Sequence, residues 1–230
     1  MVSASFQLET ELFRQPPNWI PTDPTVENYD YVFACKIRTV YEERLLPTRL
    51  TQQARFLVPG TLNSLIVAIS VTGINLIFGT LAAYTFAWEK FPGRDATFLF
   101  ILGSRLLPPV AVAIPIYMIV NLVDMLDTKR ALVVLHTAFT QPFTVGVLTP
   151  YFRKLPHEIE DAALIDGCTR FGVLRHVALP LAAPGLAAVG AFAFLFSYSE
   201  FVYSLFTKQS INAKTVSVIT SSIATNPASY

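Results

Sequence analysis

At 230 residues, with 53% hydrophobic and 14% charged residues and a mean hydropathy of +0.48, the chain is too apolar for an ordinary soluble domain, which carries roughly 25% charged residues. A net charge of +1 gives no reason to expect an acidic partner such as nucleic acid. No GxxxxGK[ST] run occurs, so any nucleotide hydrolysis must come from another chain.

Residues 1–55 are polar and hold turn formers at Pro16-Pro17, Asn18, Pro21 and Asp23-Pro24, with Trp19 and Ile20 as apolar islands. They predict an extra-membrane stretch with turns and a short helix from about Val26 to Cys35. The opening MVSASFQLETELFRQPP lacks a basic start followed by an apolar run, so it does not read as a signal peptide. From Phe56 to Trp88 no residue is charged, enough to cross a bilayer core of about 30 Å. Asn63 and Ser64 lie near the start of this run. Gly73, Gly79, Ala82 and Ala83 offer close-packing positions, and Trp88 suits an interface belt. Glu89 to Asp95 then reads as a tight polar turn.

A second span is predicted from about Ala96 to Val123, with Arg105 inside it. Arg105 either snorkels to headgroups or faces a cavity or a paired carboxylate. Pro108-Pro109 and Pro115 should bend or break this helix, for transport or for packing alone. A third uncharged run, Ala131 to Phe152, is interrupted by His136, Gln141 and Pro142; His136 reads as a hydrogen-bonding residue inside the bundle. The fourth run is Leu181 to Phe206, kinked at its start by Pro184 and Gly185. Ala183, Ala187 and Ala191 form its expected packing face, while Phe192, Phe194, Phe196 and Phe201 are expected to meet lipid. Glu200, late in this run, should face water, a partner or a cavity mouth. The tail from Thr207 is polar and is expected to hold no further span. Cys35 and Cys168 fall on opposite sides of this topology, so no disulfide joins them. His136, His157 and His176 lack metal-ligand spacing.

Between the third and fourth runs lies one polar island, LPHEIEDAALIDGCTRFGVLRHVALP, from Leu155 to Pro180. Pro156 can open a helix, and Glu158, Glu160 and Asp161 complement the positive end of its dipole. Gly167 suits the left-handed residue that closes such a helix, and Thr169 can cap the next one. The island therefore reads as helix, glycine elbow, helix.

Its spacing resembles the EAA loop of the permease subunits of bacterial ABC importers: Glu-Ala-Ala, three residues, Gly, nine residues, Ile, any residue, Leu-Pro. Here Asp161-Ala162-Ala163, Gly167 and Val177-Ala178-Leu179-Pro180 keep every gap, with Asp for Glu and Val for Ile. The run from Pro16 to Tyr29 is similar to the family's connection after its first membrane helix. The stretch from Arg105 to Tyr117, with Leu126-Asp127-Thr128 beyond, is similar to the sugar-importer branch. The resemblance implies an all-α, polytopic membrane bundle of the type I importer kind, with about four spans here. In that frame residues 1–55 are extracytoplasmic, 56–206 the permease domain with a cytoplasmic loop at 153–176, and 207–230 an extracytoplasmic tail. Charge counting alone is nearly balanced between the two sides, so it is the resemblance that sets the orientation.

The implied function is half of a translocation pathway for a sugar or related polyol, in a bacterial inner membrane. ATP would be used by two partner ATPase subunits, with no cofactor in this chain. A second permease, expected to differ from this one, and an extracytoplasmic solute-binding protein complete the system. The resemblance assigns ATPase coupling to Glu158, Glu160, Asp161, Ala162, Ala163 and Gly167. Candidate pathway residues are Asn63, Asn75, Arg105, Tyr198 and Glu200; no catalytic or metal-ligating residue is expected. Relatives of this kind carry one more span at each end, so the chain reads as an incomplete version of the pattern. Two other classes stay open: an intramembrane enzyme using Asp166, Glu200 or a histidine, and a helical scaffold.

Overall fold

The computed structural model describes residues 56–207 and 214–224, with 3–6 and the single positions 20, 24, 26 and 29. The short helix expected near Val26 to Cys35 and residue Cys35 lie outside the described residues. Every regular element among the described residues is helical.

Helix α1 runs from Leu57 to Trp88 and α4 from Lys129 to Arg153; both are long and apolar enough to cross a membrane. Two further spans are broken. Helix α2 (Arg94–Leu106) meets α3 (Pro109–Leu122) at 98°, and α6 (Arg170–Leu181) meets α7 (Ala183–Ser199) at 80°. Between α4 and α6 lies α5, His157–Ile165. After α7 come α8, Val202–Thr207, and α9, Val216–Ala224.

Helices α1, α4 and α7 pack against one another as the core. The buried surface mixes large apolar side chains, among them Leu132, Leu148 and Phe152, with small or polar ones: Ser64, Asn75, Thr80, Thr140, Thr144, Thr149 and Ser197 join Ala68, Ala83 and Ala193. Other bulky side chains point outward, among them Ile66, Ile69, Ile77 and Phe78 on α1 and Leu106, Ile114, Met118 and Leu122 near α3. Small and hydroxylated contacts of this kind suit lipid, where apolar burial gives helices no reason to associate and close contact and hydrogen bonds do.

At the middle of the core Asn75 is fully buried, and its amide donates to Thr140 Oγ1 at 2.7 Å and to Val71 O at 2.9 Å. Thr144 Oγ1 lies 3.4 Å from Asn75 Oδ1. A π turn, Asn75–Gly79, widens α1 at this point. A side chain that bonds the preceding turn competes with the helical ladder, and a π turn is one way to accommodate it. One turn on, Gly79 lets the backbone meet Thr144 so closely that an added Cβ would overlap its methyl group.

Three local expectations are corrected. His136, Gln141 and Pro142 do not interrupt the third run, because α4 continues through them and through Pro150. Proline is tolerated in such helices where neighbouring helices surround the freed backbone. Ala183, Ala187 and Ala191 face outward; α7 buries Gly185, Val189, Gly190, Ala193 and Ser197 instead. Gly185 makes the closest approach, to the Tyr151 ring, where an added Cβ would be crowded, while Gly190 faces Leu76 with room for ordinary contact. The tail is not merely polar, since α9 buries Val218 and Ile219 against the first turns of α1.

The Gly79 contact predicts that Gly79→Leu destabilises the bundle by about 1–3 kcal/mol through overpacking. Gly73, where an added Cβ meets nothing, should accept leucine within about 0.5 kcal/mol. Thermal denaturation in detergent, followed by size-exclusion chromatography of the surviving monodisperse fraction, separates the two.

Candidate functional site

The polar island folds as its spacing requires. Pro156 takes the position just before α5, one residue earlier than the first helical turn. The helix closes where Gly167 adopts φ +89. Cys168 N donates to Ala163 O at 3.0 Å and Gly167 N to Leu164 O at 3.1 Å, the paired closure that a left-handed glycine permits. Thr169 Oγ1 then accepts from Gly172 N at 3.1 Å and caps α6. The second short helix continues past Pro180 to Leu181 before the 80° turn into α7.

This elbow is braced on the end of α1. Buried Glu160 lies close enough to Tyr84 for its carboxylate to act on the phenol, and Glu89, just past α1, pairs with Arg170. Arg153, at the end of α4, donates to Phe86 O at 3.3 Å and lies 5.8 Å from the Phe98 ring centroid. Leu174, Ala178 and Ala182 enter the same buried cluster as Ala83, Leu148 and Phe152. Residues 89–95, the end of α4, α5 and the start of α6 therefore share one end of the bundle. At the other end Asp127 N donates to Thr207 O at 3.1 Å, and Asn63 Nδ2 to Lys214 O at 3.2 Å.

Among the residues assigned to coupling, the structure separates two sides of α5. Glu158, Asp161 and Ala162 lie exposed on one face with Ile165, which is 86% exposed. Ala163 is half-buried, and Glu160 turns inward to Tyr84, away from that face. Phe171, on the first turn of α6, is 65% exposed beside it. Ile165 and Phe171 were not singled out in the sequence, although a large apolar residue four positions after Asp161 was the available signal.

The candidate pathway residues are scattered. Asn75 donates to Thr140 on α4 and Asn63 to the Lys214 carbonyl just before α9, and both asparagines are buried. Tyr198 stacks on Phe194 at 5.9 Å between centroids, and its carbonyl accepts from Ser217 Oγ at 3.3 Å. Glu200 sits at the break between α7 and α8. Its carboxylate accepts from Tyr203 N at 3.1 Å and Ser204 N at 3.3 Å, capping α8. It also lies 3.2 Å from Nε2 of buried His136, whose Nδ1 meets Ser197 Oγ at 2.9 Å. His136 is thus a hydrogen-bonding residue inside the bundle. Arg105 occupies the turn that ends α2, where it donates to Phe139 O at 3.0 Å and lies against Phe139, Phe143 and Phe196.

Removing the Glu200 carboxylate strips α8 of its cap and His136 of its partner. Glu200→Ala should cost about 1–2 kcal/mol in an SDS-titration unfolding assay, the range of a lost cap. Combined with His136→Ala, the two losses should fall short of additivity by at least about 0.5 kcal/mol, as coupled neighbours do.

Comparison with known proteins places this arrangement. Residues 75–226 match the family described as binding-protein-dependent transport system inner membrane component. The sulfoquinovosyl glycerol transport system permease protein SmoH of Agrobacterium fabrum is 31% identical, over 87% of this chain and 64% of its own length. The diacetylchitobiose uptake system permease protein NgcG of Streptomyces coelicolor is 36% identical over 61% of this chain and 47% of its own. The chain thus spans roughly half to two thirds of the length of these curated relatives. A crystal structure of a bacterial ABC transporter that imports the acidic polysaccharide alginate superposes with a TM-score of 0.63 at 19% identity, covering 94% of this chain and 69% of that one. With its helical bundle, braced glycine elbow and matching family model, the chain belongs to the binding-protein-dependent transport system inner membrane components.

Proposed function

We propose that this chain is the membrane-spanning permease subunit of an ABC importer, forming half of a pathway for a sugar or related polyol. The observation that carries the reading is the split of α5: an exposed face of Glu158, Asp161, Ala162 and Ile165, backed by an inner side braced to α1 through Glu160 and Arg170. A free apolar knob on a firmly held short helix suits docking into a cleft on a separate ATPase. Closure of two such ATPases on ATP would push α5. Because Glu89–Arg170 and Tyr84–Glu160 join the elbow to α1, the push would be delivered to a long helix rather than absorbed in a loop. Rigid-body rocking of the bundle would then exchange inward and outward access.

In this reading residues 153–176 face the cytoplasm of a bacterial cell, and residues 1–55 and the tail face outward. The partners are a second permease subunit, two ATPase subunits, an extracytoplasmic solute-binding protein and the lipid bilayer. The chain performs no covalent chemistry; it contributes different contact free energies to two states. The carbohydrate assignment is supported by relatives named for a sulfoquinovosyl glycerol and a diacetylchitobiose, and by a solved neighbour that imports a polysaccharide.

Affinity purification of the chain from its native membrane tests this first: an ATPase and a second permease should accompany it. In the purified assembly, proline at Gly167, where φ is +89, cannot adopt the required backbone, because its ring holds φ near about −65°. Gly167→Pro should leave membrane insertion and ATP hydrolysis intact while solute uptake drops below about a tenth of wild type, given that backbone conflict. Uptake at the wild-type rate would mean that the elbow does not transmit the stroke.

A further inference from the structure

Arg105 is the one charged side chain within residues 56–88, 96–123, 131–152 and 181–199. It sits in the 3₁₀ turn Ser104–Leu106, where the second span breaks by 98°. Its Nη1 donates to Phe139 O at 3.0 Å. The guanidinium carbon lies 4.8 Å, 5.5 Å and 4.9 Å from the ring centroids of Phe139, Phe143 and Phe196.

The depth of this group separates two explanations of it. Phe139 is close to the middle of the 25-residue α4, within about 3 Å along the axis at 1.5 Å per residue. A snorkelling arginine sends its head toward the headgroups at a helix end. Arg105 instead reaches across the bundle to two other helices at mid-depth. An unpaired cation there costs a few kcal/mol and calls for a counter-charge.

The described residues supply none. No carboxylate among them forms an ion pair with Arg105, and Glu200, which directly follows the last of these runs, is held by two backbone N–H groups and by His136. A guanidinium has five N–H donors, and one protein acceptor is present. The three rings attract the cation but cannot accept those remaining bonds along its edge. Arg105 is only partly buried, so the edge is reachable. A planar fork of donors fits a carboxylate, sulfonate or phosphate group two bonds at a time. The rings around it offer flat apolar surface to the C–H face of a sugar.

We propose that Arg105, in its three-ring setting at the α2–α3 break, is an anion-recognition point of the translocation pathway and selects carbohydrates that carry an acidic group. This rests on the permease reading above. The site lies where a discontinuous helix meets the middle of the bundle, the kind of position that transporters use for substrate.

The test uses the complete transporter in nanodiscs of neutral phosphatidylcholine, with radiolabelled glucuronate and glucose as probes in a scintillation-proximity binding assay. Glucuronate should bind at least about tenfold more tightly than glucose, the equivalent of one charge-assisted pair. Arg105→Gln should erase the preference, and Arg105→Lys should keep part of it. Equal binding of the two probes overturns the proposal, as does a preference that survives Arg105→Gln. Loss of the preference when anionic phosphatidylglycerol replaces the zwitterionic lipid assigns Arg105 to an anionic lipid headgroup and also overturns it. So does dissociation of the permease pair by Arg105→Gln on size-exclusion chromatography with light scattering, since the counter-charge then belongs to the partner permease. Failure of the wild-type chain to bring down an ATPase would remove the permease reading itself; any of the other adverse outcomes leaves that reading standing.

Discussion

The hydrogen bond from Asn75 to Thr140 joins the two long helices at a depth where water is absent, and most of the structure follows from that closeness. Such bonds between membrane helices are worth only about 0.6 kcal/mol on average, so they work together with the packing they allow. Gly79 brings α1 against Thr144, and Gly185 and Gly190 admit α7 to the same core. Many bulky aliphatic residues lie on the outside, where they cost nothing in lipid. The fold is held by small and polar surfaces in contact together with packed apolar clusters around Leu148 and Phe152 and around Val67, Val71 and Leu132.

Around that rigid centre the chain places its breaks at the ends of helices. The α6–α7 bend carries the polar elbow directly onto the buried cluster of Ala83, Phe152 and Ala178. Brace and elbow are therefore one body: Arg170 reaches back to Glu89, and Glu160 to Tyr84. The face of α5 with Glu158, Asp161, Ala162 and Ile165 is exposed among the described residues.

Intramembrane polarity divides into two kinds. Asn75, Ser197, His136 and Glu200 are satisfied by neighbours and serve the packing. Glu200 shows how an acid can sit late in an apolar run at acceptable cost, since two backbone donors and an imidazole surround it. Arg105 differs because its cation is sheathed by aromatic faces while its donor edge finds a single carbonyl. The same residue type at the same depth with an internal carboxylate would be unremarkable packing.

The sequence by itself determined what local chemistry controls. Uncharged length located the two unbroken spans, proline pairs located the 98° break, and the positive φ at Gly167 with the Thr169 cap followed from residue type and spacing. It could not determine which face of each apolar helix turns inward. In lipid both faces are hydrophobic and no amphipathic stripe marks the core, so alanines at every fourth position of α7 looked like the packing side while Gly185, Val189 and Gly190 are the ones buried. For the same reason the sequence did not show that Asn75 meets Thr140 on α4 or that Asn63 meets the Lys214 carbonyl, and α9 looked like a solvated tail. Only the tertiary structure decided these points, because the partner of a polar group inside a membrane is set by which helix lies beside it.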